Sequence, residues 1–405
     1  MSLDLAPSDW TDCGDAVLDD VIALRRAIHA DPEVGLHCPR TTDKALAALE
    51  GLPLEIRRST RTTGFVAILR GGRSGEGSNT RTVLLRGDMD ALPMEEETGL
   101  PFASRVPGAM HACGHDAHTA MLVGAAKALS ARRDTLPGTV VFMFQPGEEG
   151  HHGAREMIAD GLLADPQPDA AFALHISPNA PAGVFVGRPG ALLASTDTVH
   201  AVIRGKGGHA AMPHDAVDPI PAACAVVAAL QVMIAREVPV ADPAVLTITQ
   251  IHAGSSHNII PGEVRLMGTL RTLSERVREQ ARIGFRRVVE GVAAAHGCTA
   301  ETSIDQGYPV TMCDPRATAL MAEIAGRMGG WEPMPAPMMG GEDFSYVLRE
   351  VPGAMAFIGV APEGSDYRTN PPLHNTRMTI EESAMAQGVA MHCALAMRYL
   401  ERGWG

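Results

Sequence analysis

His111-Ala112-Cys113-Gly114-His115-Asp116-Ala117-His118 decides how this chain is read. Three histidines and a cysteine, side chains that bind metals, fall within eight residues, just ahead of an apolar helical run of Met121, Leu122, Ala125 and Leu129. In an extended segment alternate residues share a face, so His111, Cys113 and His115 are expected to point into one cavity. Thiolate and imidazole are preferred ligands of zinc and related divalent ions. Farther along come Gln145-Pro146-Gly147-Glu148-Glu149, Ala173-Leu174-His175 and Leu373-His374-Asn375, each beside an apolar strand-like run. The pattern predicts a metal site assembled by folding.

Working outward, Val17, Val21, Leu24 and Ile28 repeat at helical spacing and predict a helix over 15–30, stopped by Asp31-Pro32. Short apolar runs bounded by turn residues follow at Gly64–Leu69, Thr82–Leu85, Thr139–Phe144 and Ala170–Leu174, with helical stretches near 116–132 and 153–163. Alternating strands and helices predict a wound α/β sheet, whose ligands collect at the carboxyl ends of its strands. Asp88 and Asp90 follow one such run, Glu148 and Glu149 another, and His175 a third.

From about residue 191 the pattern changes. Strands over Thr198–Ile203, Ala244–Ile251, Glu263–Leu270 and Thr299–Ile304 alternate with a helix over 216–236 and one that Ser274 caps and Gly297 ends. That order, β-α-β-β-α-β, predicts a ferredoxin-like α+β unit over 191–306. It interrupts a discontinuous first domain, 1–190 with 307–405, because His374 has to return to the other candidate ligands. Gly71–Ser78 reads as a Gly/Ser-rich loop between strands.

Composition narrows the function. A length of 405 residues suggests two domains, and a net charge of −13 argues against nucleic acid and anionic membrane surfaces as partners. The seven cysteines are widely spaced without a Cys-x-x-Cys, which fits a reducing cytoplasm rather than a disulfide framework. The start, Met1-Ser2-Leu3-Asp4, lacks the basic and apolar regions of a secretory signal. The longest apolar run, Pro221 to Ala235, contains Gln231 and reads as too short to span a bilayer. A soluble cytoplasmic protein is expected.

Eight ordered motifs carry a family resemblance: RGDMDALP (86–93), HACGHDAH (111–118), QPGEEG (145–150), ALH (173–175), GKGGHAAMPH (205–214), HNIIPG (257–262), GTLRT (268–272) and GGEDFS (340–345). With Arg25 to Glu33 at one end and Leu373-His374-Asn375 at the other, nearly the whole chain resembles the hippurate hydrolase and N-acyl-amino-acid amidohydrolase branch of the superfamily containing aminoacylase and glutamate carboxypeptidase. The resemblance implies a zinc-peptidase-like α/β catalytic domain, an inserted satellite domain that carries a homodimer contact, and two divalent metal ions per subunit. Zinc or manganese is expected, with nickel and cobalt also compatible. Carried over by position, Cys113, His115, Glu149, His175 and His374 are metal ligands, with Cys113 bridging both ions. Asp90 orients a ligand histidine, while Asp88 is left open between ligand and structural acid. Glu148 is the general base that takes a proton from the attacking water and returns it to the leaving amine; the order of the two glutamates is not readable from the residues alone. His209, inserted from a partner subunit, donates to the oxyanion. Asn258 and Arg271 hold the free carboxylate of the substrate, and Gly340-Gly341 lets backbone approach it. The implied substrates are N-acyl amino acids, hippurate-like or N-acetylated. The chain departs from the pattern at Gly147 and at His37-Cys38, neither among the expected ligands.

Three other readings compete. A dipeptidase or aminopeptidase needs an acid to hold the free amine of its substrate, and none stands out. Cys113 acting as nucleophile with His115 as base leaves the distant donors unexplained. A non-catalytic metal-binding protein has no need of Glu148.

Overall fold

The computed structural model describes residues 8–73 and 81–405. Most of the Gly/Ser-rich loop expected over 71–78, and the first seven residues, lie outside the described residues. The chain divides into two compact units: Met1–Leu192 with Met312–Ala336 and Asp343–Gly405, and Leu193–Thr311 with Pro337–Glu342.

The first unit is built on an eight-stranded sheet. Its centre is four parallel strands, Thr139–Gln145, Thr82–Asp88, Ala170–Ser177 and Gly353–Gly359, in that spatial order. Phe65–Arg70 and Glu55–Arg58 extend one side antiparallel, and Phe185–Gly187 and Trp331–Pro333 complete the other. The central strands are buried almost throughout, which is why they read as continuous apolar runs rather than alternating ones. Helix His115–Ser130 packs against Thr82–Asp88 and against helices Leu18–His29 and Met385–Arg402. The helix expected over 15–30 is Leu18–His29, and a separate helix, Ser8–Asp15, precedes it. Loops leaving the carboxyl ends of the parallel strands carry Asp90, Glu148 and Glu149, and His175 lies near the end of its own strand.

The second unit has the expected β-α-β-β-α-β order. Its antiparallel sheet runs Ala244–Ala253, Glu263–Thr272, Ser195–Arg204, Thr299–Gln306, the ferredoxin-like arrangement. Buried and half-buried residues alternate along Ser195–Arg204 because only one face is covered. Helices Pro219–Glu237 and Glu275–Ala295 cover it, with Val226, Leu230, Phe285 and Val289 meeting Val199, Ile203 and Leu266. Side-chain caps start both helices: Asp218 accepts from the Ile220 amide and Ser274 from that of Val277. Two expectations are corrected here. Pro337–Glu342 goes with this unit rather than the first, because the Ala194 amide donates to the carbonyls of Met338 and Gly340 at 3.1 and 2.9 Å. Helix Pro219–Glu237, at 19 residues, is by length and composition long enough to cross a membrane; in this fold its inner face, Ala222, Ala223, Val226, Leu230 and Met233, belongs to the core. Its other face, with Cys224, Ala228 and Val232, is exposed.

Candidate metal centre

Gly114 shapes the site. Its φ of +84° turns the chain out of the loop and into helix His115–Ser130, and a Cβ there would stand 2.2 Å from Ile176 Cδ1. The segment is therefore not a strand, and the alternation expected of it fails. Cys113 and His115 converge across the turn, whereas His111 does not join them. It is buried, with neither ring nitrogen hydrogen-bonded, and burial pushes its pKa down to about 3, so it stays neutral.

The structure brings the expected ligands together in overlapping groups whose donor atoms lie within 4.8 Å of one another: Cys113, His115 and His175; Cys113, Glu149 and His374; His115, Glu148 and Glu149. His175 Nδ1 donates to the Ile176 carbonyl at 2.8 Å, leaving Nε2 with its lone pair 3.4 Å from Cys113 Sγ. His374, half exposed and at φ +64°, is tied in by its amide, which donates to the Ala112 carbonyl at 2.8 Å. Its Nε2 stands 3.1 Å from Glu149 Oε1, close but out of line for a hydrogen bond. Contacts with Cys113 and Glu149 push the His374 imidazole up to about 10, and burial raises the Cys113 thiol.

His115 tests whether these residues fit a cation. Its ring is wholly buried and neither nitrogen is hydrogen-bonded. Nδ1 faces Asp90 Oδ1 at 3.4 Å, and Nε2 faces Asp88 Oδ2 at 3.6 Å and Glu149 Oε1 at 4.0 Å. A buried imidazole with no hydrogen bond, crowded by carboxylates and a thiol, is costly by itself; a divalent cation resolves the imbalance. Sulfur, imidazole and carboxylate together suit such an ion.

Asp90 does more than face His115. Its two oxygens accept the backbone amides of Glu148 and Glu149 at 2.9 and 3.1 Å, pinning the loop that carries both glutamates. Asp88 is fully buried between partners: Arg86 donates to Oδ2 at 2.5 Å and His118 Nδ1 faces Oδ1 at 2.6 Å. Burial opposes its ionisation, but Arg86, His115 and His118 hold the carboxyl well below the usual range. Reading the residues missed the network beneath. Arg86 also reaches Gln145 Oε1 and Asp343 Oδ1, at 2.9 and 3.1 Å, and Asp343 in turn accepts from Gln145 and the Ala154 amide. The one available signal was an arginine and an aspartate inside an otherwise apolar strand. Cys38 is a buried thiol that donates to the carbonyls of Glu33 and Gly35, not a further ligand.

These donors lie between residues 88 and 374, and the peptidase family M20/M25/M40 matches residues 84–398. The chain belongs to that family. It is 36% identical over 387 residues, 94% of this chain and 95% of the relative, to thermostable carboxypeptidase 2 of Saccharolobus solfataricus. It is equally 36% identical over 382 residues, 94% of this chain and 97% of the other, to N-acetylcysteine deacetylase of Bacillus subtilis. Among solved structures it resembles the YXEP protein of Bacillus subtilis, a dinuclear metal-binding peptidase of the M20 family, with a TM-score of 0.82, 34% identity, and 96% and 99% of the two chains covered. As an M20 member the chain is a metal-dependent amide hydrolase.

In the second unit, His209 and Asn258 sit side by side on a small ribbon. Gly208–His209 pairs with Ile259–Ile260, and the Ala210 amide donates to the Asn258 carbonyl at 3.1 Å. His209 Nδ1 accepts from the Ala211 amide at 3.1 Å, so the ring proton is on Nε2. Arg271 donates from Nε to Thr269 Oγ1 at 3.1 Å, and no acidic side chain among the described residues forms an ion pair with it. Gly340 meets only Leu193, at an ordinary 3.5 Å from where a Cβ would sit. The close approach is at Gly341, whose Cβ would lie 2.3 Å from Thr196 Cγ2, a packing demand.

Proposed function

We propose that this M20 enzyme hydrolyses the amide bond of N-acyl amino acids that carry a free carboxylate, releasing a carboxylic acid and an amino acid. The carrying observation is the Asp90 clamp, which pins the backbone amides of two consecutive glutamates beside the donor groups. Glu149 groups with Cys113 and His374, which supports a ligand role; Glu148 groups with His115 and Glu149 but not with the thiol, which supports a base. In this reading Cys113, His115, Glu149, His175 and His374 hold two divalent ions. The ions supply Lewis-acid polarisation of the carbonyl and acidify water. Glu148 takes one proton from the attacking water and delivers it to the leaving nitrogen as the carbon–nitrogen bond breaks.

Arg271, half buried without a carboxylate partner, is suited to the substrate carboxylate together with Asn258. Gly340 lines the substrate in this reading, and His209 supplies an Nε2–H donor to the oxyanion from a second copy of the chain. The exposed face of helix Pro219–Glu237 and the edge strand Ala244–Ala253 support pairing of two copies. A carboxypeptidase and an N-acetylcysteine deacetylase among the relatives both release an amino acid with a free carboxylate.

Metal analysis combined with hydrolysis of N-acetyl, N-benzoyl and N-indoleacetyl amino acids and short peptides tests the proposal. Two ions per chain and turnover of N-acyl amino acids are expected. Glu148→Gln should keep both ions and lose about 10²–10⁴-fold in turnover. Loss of metal from Glu148→Gln but not from Glu149→Gln would reverse the two roles. A fully loaded enzyme that cleaves none of these compounds would overturn the substrate assignment.

A further inference from the structure

We propose that His118, a metal-binding residue by its place in the sequence, is a positioning residue that aims His175 and ligates nothing. Four buried hydrogen bonds have directions that assign the ring protons. A backbone N–H only donates, so His118 Nε2, 2.9 Å from the Ile176 amide, accepts. The ring proton is then on Nδ1, which donates to Asp88 Oδ1 at 2.6 Å, while Arg86 occupies Oδ2. A carbonyl only accepts, so His175 Nδ1, 2.8 Å from the Ile176 oxygen, donates and leaves Nε2 as a lone pair facing Cys113 Sγ. Ile176 therefore fixes the tautomers of both histidines, one through its N–H and the other through its C=O. The two rings also meet edge to face, 4.5 Å between centroids at 64°. His118 lies in a donor group with Asp88 and His115, yet both of its nitrogens are already committed. A ring committed at both nitrogens has no lone pair left for an ion.

Partners that orient a ligand histidine typically contribute about 10–100-fold to metal affinity. The inference rests on the reading of His175 as a ligand, and the test separates the two. Glutamine at 118 places an acceptor near the Nε2 position and keeps the Ile176 contact. Asparagine keeps a donor for Asp88 but stops short of Ile176. Cobalt(II) affinity and the thiolate-to-cobalt absorption band are measured in both variants, in His175→Ala and in the wild type, with thermal unfolding as the check on folding. The expected result is that His118→Asn weakens binding of one ion about 10–100-fold and alters the band, while His118→Gln stays within a few-fold of wild type. Wild-type affinity in His118→Asn, with an ion lost from His175→Ala, overturns the relay alone. Loss of an ion from both His118 variants as complete as in His175→Ala makes His118 a ligand and overturns it too. Two retained ions in His175→Ala overturn the ligand reading and the relay with it. A further measurement needs no variant: histidine ¹⁵N shifts of the wild-type protein should report an Nδ1–H tautomer at both His118 and His175, and an Nε2–H tautomer at His118 overturns the proposal.

Discussion

Asp90 accepts the backbone amide of Glu148 on Oδ1 at 2.9 Å, across 58 residues of chain. Its other oxygen takes the amide of Glu149. One carboxylate thus fixes the backbone of the loop from which both glutamates project, and it faces His115 as well.

Asp90→Asn should therefore act on turnover more than on recognition. An amide has one acceptor oxygen, so an N–H of the loop would meet an NH₂ group. A hydrogen bond to a charged acceptor is worth about 1.5–3 kcal/mol, which corresponds to roughly a 10–100-fold fall in kcat if the whole contribution is lost in the transition state. Steady-state kinetics on the metal-loaded variant measure this; an unchanged kcat would show that the clamp is dispensable.

Arg271→Ala should raise KM by about 10–100-fold for substrates with a free carboxylate, from the loss of a charge-assisted contact. The corresponding methyl esters or amides should respond much less. Equal effects on both would place Arg271 outside carboxylate recognition.

Mixing two defective chains tests donation across a dimer. A His209→Ala chain and a Glu148→Gln chain are each expected to be nearly inactive. In a mixed dimer one site takes both defects, and the other combines an intact Glu148 with an intact His209 from its neighbour. Recovered activity supports donation; verified mixed dimers without recovery would confine His209 to its own subunit or remove it from the reaction.

His392 predicts a pH dependence of stability away from the site. Burial pushes its imidazole down to about 3 from an ordinary 6.5. Below pH 6.5 the unfolded chain takes up a proton that the folded chain refuses. The contribution is complete above 6.5 and is lost progressively as the pH falls toward 3. Between pH 7 and pH 5 this amounts to about 2 kcal/mol. Urea unfolding should show that much less pH sensitivity in His392→Leu than in the wild type; identical pH slopes would count against it.

Much of this was legible in the residues. The strand runs at 82, 139 and 170, the capped helix after Ser274 and the ferredoxin-like order were all readable, because periodicity and turn chemistry act over a few neighbouring residues. The motif spacing also marked out the donors that the fold collects, from Cys113 to His374. The errors came from longer range. Alternation placed His111 with Cys113, but residues 111–114 form no strand, so the geometry that alternation assumes is absent. Length alone made 221–235 too short for a membrane, whereas the folded helix extends to Pro219 and Glu237.

Residue types, their order along the chain and their position at strand ends were determined by the sequence itself, since each depends on covalent neighbours. Which nitrogen of a histidine is free, and which acid is already paired, was decided only by tertiary structure. His118 carries the same imidazole as His175. Its commitment depends on Asp88, 30 residues before it, and on the Ile176 amide, 58 residues after it. A hydrogen bond is directional and joins groups that are close in space, so residues distant in the chain decide which side chains remain available for a metal.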